Sequence, residues 1–185
     1  LALGNPWELR RPEITYRVGW KGHTETYSDA AGFQRVRWVP GMMVKGVAYD
    51  YPVPGYRTKV TNLLRLWKSE AVESFDFQDF NVGDYYGAVE EKVISETVTK
   101  VLYPNDEPEV GKRIRLAQQN FFVSCSLQDL IRFHLLSGNT LGTFHEWNAI
   151  QLNDTHPAIA VVEFTRILID EENMTFAAAW EIVGQ

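Results

Sequence analysis

The sequence predicts a mixed α/β fold in which an antiparallel β region leads into strand-helix layers. Three observations carry that prediction. Between Thr15 and Tyr49, four short runs rich in β-branched and aromatic residues are separated by turn dipeptides. Two longer segments, Lys112 to Leu136 and Pro157 to Asp170, keep apolar residues at helical spacing. A short apolar run, Ala149 to Leu152, stands just before the second of them, giving the order strand then helix.

The four β runs are 15–20, 23–27, 34–39 and 42–49, divided at Lys21-Gly22, Ser28-Asp29 and Pro40-Gly41, so an antiparallel ribbon or meander is expected. Tyr51-Pro-Val-Pro-Gly55 reads as a rigid turn, because each proline lacks an N–H and biases the preceding residue away from α. From Tyr56 to Trp67 the residues admit either period: Val60, Leu64 and Leu66 suit a strand, Leu63, Leu64 and Trp67 a helix.

Asp79 to Leu102 reads as helical after Asn81 or Asp84, with Val89, Val93, Thr97 and Val101 four apart and Pro104 as the stop. A polar loop, 103–111, precedes the long helix from about Lys112 to Leu136. Leu116, Val123, Leu127 and Leu130 keep its spacing, and apolar residues around much of its circumference suggest deep burial. Residues 138–148 read as loop. Phe176 to Val183 reads as a closing helix that Gly184 could cap. No repeat, low-complexity tract or linker marks an internal boundary. The chain divides by character into a mainly antiparallel β region, 1–57, and a strand-helix part, 58–185.

With 185 residues, 45% of them hydrophobic, the chain can bury one substantial core. A net charge of -6 gives no general attraction to nucleic acid or an anionic membrane. The single cysteine, Cys125, excludes an internal disulfide framework and fits a reducing, cytoplasmic setting; its apolar surroundings point to a structural thiol. No apolar stretch approaches membrane-spanning length.

Several chemistries are struck off. There is no dinucleotide or phosphate-loop glycine pattern and no nucleophile elbow. The four histidines lie far apart, and Asp76, Asp79 and Asp84 lack the spacing and terminal Glu of a calcium loop, so no metal site is expected.

The chemistry concentrates in Asn153-Asp-Thr-His156, between the apolar run and the helix beginning near Pro157. Backbone N–H groups and the positive end of a helix dipole lie at such a junction, where open α/β sheets bind ligands. The structural alternative makes Asp154 or Thr155 an N-cap, with Pro157 in the first turn and His156 satisfied by a local hydrogen bond. Behind it, Val161, Phe164 and Leu168 form the face to bury, and Glu163, Arg166 and Asp170 a charged stripe.

Ala149-Ile-Gln-Leu-Asn-Asp-Thr-His-Pro-Ala158 resembles a signature of the α-glucan phosphorylases. Further segments resemble the family in its order: Gly4-Asn-Pro-Trp-Glu8 with Arg11-Pro-Glu13, Tyr49-Asp50 with Pro52-Val-Pro-Gly-Tyr-Arg57, Leu64-Arg-Leu-Trp67 and Asp79-Phe-Asn-Val-Gly83. Val101-Leu-Tyr-Pro-Asn-Asp106, Gly111-Lys112 with Arg115-Leu116, and Ser126-Leu-Gln-Asp129 follow. Since phosphorylases are far longer, the chain is expected to be an interior fragment of their N-terminal half.

That resemblance implies part of the N-terminal Rossmann-like lobe of a two-lobed glycosyltransferase fold (GT-B type), and a strand for 56–67. It implies phosphorolysis of α-1,4-glucan by orthophosphate to glucose 1-phosphate in a cytoplasmic, dimeric parent. Pyridoxal phosphate is attached in the C-terminal lobe, outside this sequence, so no catalytic or cofactor residue is assigned here and the fragment alone is expected to be inactive. By resemblance, Asp154 and His156 line the cleft near the sugar, Asp106 lies in the mobile loop at its mouth, and Arg115 follows on the helix.

The loop departs from the family pattern at Glu107 and Pro108, and an ordinary solvated loop is the alternative. Arg11, Arg65 and Arg132 match arginines that hold an activator nucleotide's phosphate in animal members, though Phe133 replaces a second adjacent arginine. Structural ion pairs near a dimer interface are the other reading. Two further functions stand as alternatives: a non-catalytic carbohydrate-binding module using the 147–170 junction and aromatics such as Tyr16, Trp20, Trp38, Tyr85 and Tyr86, most of which suit ordinary core or strand packing better, and a nucleotide sensor built on Arg11, Arg65 and Arg132.

Overall fold

A computed structural model describes residues 5–72 and 93–185. The chain forms two compact units, one from Leu1–Val18 and Val44–Leu102, the other from Gly19–Met43 and Tyr103–Gln185. The expectations for Asp79–Gly83, Tyr85 and Tyr86, and for most of the 79–102 helix, lie outside the described residues.

The first unit is built on a sheet of order β1-β4-β5, with β1 Leu9–Trp20, β4 Met42–Pro54 and β5 Thr61–Ala71. Alternating β-branched and aromatic residues favour strands here. The 56–67 ambiguity resolves as strand from Thr61 onward. Val18, Val44, Val47, Ala48 and Trp67 are buried, and Tyr16 meets Trp67 edge-on at 5.4 Å between centroids. Residues 93–97 are helical, and helix gives way to turn at 98–100, before Pro104 is reached. Thr99 bonds Ser69 of β5 through both the Ser69 N–H (3.0 Å) and the hydroxyl (2.9 Å).

The Pro52–Pro54 stretch, expected as a turn, is instead the end of β4, with Pro52 opposite Leu63 and Pro54 opposite Thr61. Phase explains the difference. Antiparallel pairs alternate between hydrogen-bonded and non-bonded types. Gly55 donates to the Val60 carbonyl at 2.9 Å, which makes Val53–Asn62 and Tyr51–Leu64 the bonded pairs of the same register. Both prolines therefore fall where β5 asks for no N–H.

In the second unit, β2 His23–Ser28 and β3 Gln34–Val39 form an antiparallel hairpin. Asp29 shapes its turn: the carboxylate accepts from Arg35 and from the N–H groups of Phe33 and Ala31, interactions that, Arg35 first, hold its pKa below the ordinary carboxylate value.

The remaining elements are helical: α1 Glu109–Leu136, the single turn α2 Phe144–Trp147, α3 Ala160–Arg166 and α4 Phe176–Val183. Leu127 and Ile131 of α1 pack with Leu141, Phe144, Ala160, Phe164, Ile167, Leu168 and Ala179 in one core cluster. The expected 138–148 loop thus contains a 3-10 turn, Leu141–Thr143, and α2, because Leu141 and Phe144 are needed in that core. Thr175 caps α4 by accepting from the Ala178 N–H.

Deep burial of α1 is not observed. Its inward face carries Gln118, Ser124, Asp129 and His134 beside Phe121, Cys125 and Leu127, while Leu116, Phe133 and Leu136 are exposed. The buried polar groups are bonded: the Ser124 hydroxyl donates to Glu163 at 2.6 Å, and a His134 ring nitrogen lies 2.6 Å from the Thr140 carbonyl.

The helix expected from Pro157 is continuous but changes pitch, from a 3-10 turn at His156–Ile159 through α3 to a π turn at Ile167–Glu171. The charged stripe on it is turned inward. Arg166 bonds Glu163 at 2.8 Å and, across the widened turn, Glu171 at 2.8 Å. Burial works against the Arg166 charge, but these two carboxylates outweigh it and raise its pKa.

Candidate functional site

Two segments of the second unit meet around one tyrosine. The first runs through Asp154 and His156. Asn148 is extended, but Ala149 to Leu152 form no strand, and Ile150 and Leu152 stay exposed. A strand needs a neighbour to satisfy its N–H and C=O groups, and none of the described strands pairs with this run.

At its end Asp154 takes a left-handed backbone, φ 66°, which short polar side chains tolerate best among residues other than glycine. The chain then enters the 3-10 turn with Pro157 among its first residues, as the spacing suggests. Asp154 does not cap the turn in the expected way: its Oδ1 accepts from the adjacent Thr155 N–H, and the turn has no side-chain cap.

Asp154 is mostly exposed and His156 half-buried. The His156 Nε2 lies 3.8 Å from Asp154 Oδ2, and its Nδ1 lies 3.3 Å from Nε2 of Gln119 on α1. The Thr155 N–H, then the Thr155 side chain, then nearby His156 lower the Asp154 pKa, so this carboxylate keeps its charge below the usual range.

The second segment is the loop before α1. Tyr103, also left-handed at φ 55°, sets its ring edge-on to His156 with centroids 6.0 Å apart. The Arg115 guanidinium lies over the same Tyr103 ring, 5.7 Å from its centroid, and pairs with Asp106. Asn105 caps the loop internally by accepting from the Glu107 N–H at 3.1 Å. Gly111 lies in the first turn of α1, where a Cβ would overlap the Asn105 carbonyl oxygen, so glycine permits the loop to lie against the helix start.

Asp154, His156, Asp106 and Arg115 are thus gathered, with Tyr103 between the two pairs. Tyr103 and Gln119 were not singled out from sequence. The available signals were the Val101-Leu-Tyr-Pro-Asn-Asp106 segment and the four-residue spacing from Arg115 to Gln119, which puts both on one helix face. The group offers carboxylate acceptors, an imidazole and a guanidinium at an open surface, a set suited to hydroxyl-rich or anionic ligands.

The three remaining arginines are engaged in ion pairs. Arg65 bonds Asp50 at 2.7 and 2.8 Å and Arg11 bonds it at 3.0 Å, both within the first unit. Arg132, in the second unit, bonds Asp129 at 2.8 Å and lies over the Phe133 ring at 4.2 Å. The carbohydrate phosphorylase family model matches residues 1–185.

The chain belongs to the carbohydrate phosphorylases. It is 61% identical over 182 residues to a glycogen phosphorylase of Synechocystis sp., covering 98% of this chain and 21% of that protein. It is 44% identical to glycogen phosphorylase 2 of Dictyostelium discoideum, covering 98% of this chain and 18% of the relative. The human muscle form of glycogen phosphorylase is 43% identical over 190 residues, with 98% and 22% covered. The chain therefore spans about a fifth of the length of these phosphorylases.

Proposed function

We propose that this chain contributes the sugar-facing side of the cleft in an α-1,4-glucan phosphorylase. Such an enzyme releases terminal glucose from glycogen, starch or maltodextrin with orthophosphate, giving glucose 1-phosphate. The observation that supports this most is the gathering of Asp154 and His156 with Asp106 and Arg115 around Tyr103 in a member of this family. We place the chain in the N-terminal lobe of a two-lobed GT-B fold, in a cytoplasmic homodimer.

At this site the chain's own residues would bind and orient. Asp154 accepts from sugar hydroxyls, and Arg115, held by Asp106, keeps positive charge beside the loop. An acidic loop near a phosphate-using cleft disfavours the dianion until the loop moves, which is the basis for reading 103–111 as a gate.

Pyridoxal phosphate belongs to the family's chemistry, but the described lysines do not fit its attachment. Lys21, Lys59, Lys68, Lys100 and Lys112 are exposed, and Lys45 is paired with Glu70 at 3.5 Å. None lies in the enclosed, desolvated pocket that a carbonyl-binding lysine requires. No step through the cofactor is assigned to this chain. Arg11, Arg65 and Arg132 are read as structural, since each guanidinium already has a carboxylate and a nucleotide phosphate would have to compete with it.

The test is to mix the 185-residue chain with glucan, phosphate and pyridoxal phosphate, alone and then with the separately made remainder of a full-length phosphorylase. Glucose 1-phosphate is expected only in the second mixture. Turnover by the chain alone would overturn this division of labour.

A further inference from the structure

We infer that Gln119 is a positioning residue that fixes the neutral His156 ring as its Nε2–H tautomer, with the proton aimed at Asp154. The inference rests on the reading of Asp154 and His156 as the sugar-facing pair, and extends it to a residue that touches neither sugar nor phosphate in that reading.

Each side of the ring supplies its own argument. On the Nε2 side stands the Asp154 carboxylate, which when ionised can only accept. Its pKa is lowered, so it is ionised at neutral pH. The proton of a neutral imidazole therefore belongs on Nε2. On the Nδ1 side stands the Gln119 amide nitrogen at 3.3 Å, a donor, which needs a lone pair on Nδ1. The two requirements agree, and the Tyr103 edge contact at 6.0 Å limits rotation of the ring out of this arrangement.

The geometry gives the tautomer a consequence. At 3.8 Å, Nε2 and Oδ2 are too far apart for a good direct hydrogen bond but are suitably placed for a single bridging hydroxyl. A hydroxyl can accept from Nε2–H and donate to the carboxylate at once. With the opposite tautomer both neighbours would be acceptors, and the hydroxyl could satisfy only one. Gln119 thereby sets whether the pair suits a sugar hydroxyl, although it lies on α1 and acts only through the imidazole.

The experiment is 15N NMR of the histidine side chains in the 185-residue chain, without sugar, at a pH where His156 is neutral and with its signals assigned by their loss in His156→Asn. In the wild type Nε2 should show the frequency of a protonated, pyrrole-type nitrogen and Nδ1 that of a pyridine-type nitrogen. In Gln119→Glu a carboxylate that only accepts replaces the donor, so the ring stands between two acceptors and the Nδ1 frequency should move toward that of a protonated nitrogen. In Gln119→Ala the two frequencies should move toward a mixture. A wild-type ring protonated at Nδ1 overturns the inference, and that measurement stands even if a variant does not fold. A folded Gln119→Glu chain with wild-type frequencies also overturns it. Since no ligand is present, the result is separate from the glucan reading, which fails on activity instead.

Discussion

Asp50 and Arg65 stand directly opposite each other across the β4–β5 ladder, joined by hydrogen bonds of 2.7 and 2.8 Å. The pair has the same phase as Pro52 and Pro54, so it is a non-hydrogen-bonded pair, the type that brings opposing side chains closest. Asp50 is 1% exposed. Removing it strands Arg65 without its buried partner, so Asp50→Ala should destabilise the first unit by about 3–5 kcal/mol. Arg11→Ala should cost only ~0–1 kcal/mol, since that arginine is partly exposed and Arg65 still neutralises the carboxylate. Urea unfolding of both variants checks the ranking.

The same carboxylate gives a pH dependence. The Arg65 hydrogen bonds, with Arg11 adding to them and burial opposing, hold the Asp50 pKa below its ordinary value. A group depressed in the folded state contributes stability that is complete above its unfolded pKa and is lost as pH falls through the folded one. Acidification below the normal carboxylate range should therefore destabilise the wild type more steeply than Asp50→Asn. Parallel acid-unfolding curves would contradict this.

Leu168 and Leu116 separate the buried face from the exposed one. Leu168 is 0% exposed in the core cluster, and Leu168→Ala should cost about 2–5 kcal/mol. Leu116 lies on the open side of α1, so Leu116→Ala should change stability by about 0.5 kcal/mol or less. Chemical denaturation reads both.

Cys125 is fully buried, and burial first, then the Glu163 and Asp129 charges, push its thiol pKa up. Alkylation under native conditions should be slower than that of a free thiol, because the reagent reaches Cys125 only in the fraction of molecules that are open. Labelling at the rate of a free thiol would show that α1 does not pack as described.

Much of this was legible in the residues. β2 and β3 follow from β-branched runs around turn residues, and α4 from its helix formers with Gly184 after them. The family reading came from ordered motifs across the chain. What was missed depends on partners a local pattern cannot show. Pro52 and Pro54 look disruptive until the ladder phase is known, and Ala149 to Leu152 has strand composition but no strand beside it. The α1 helix hides polar groups because Ser124 finds an acceptor 39 positions away and His134 one in the turn that follows the helix. Gln119 was invisible as a site residue for the same reason, since its partner is 37 positions away.

The most direct measurement is phosphorolysis by a full-length phosphorylase carrying this segment with Asp154→Ala. If Asp154 orients the sugar through charge-assisted hydrogen bonds, worth about 1.5–3 kcal/mol, kcat/KM for glucan should fall roughly 10- to 100-fold while the protein stays folded. A folded variant with unchanged kcat/KM would contradict the account.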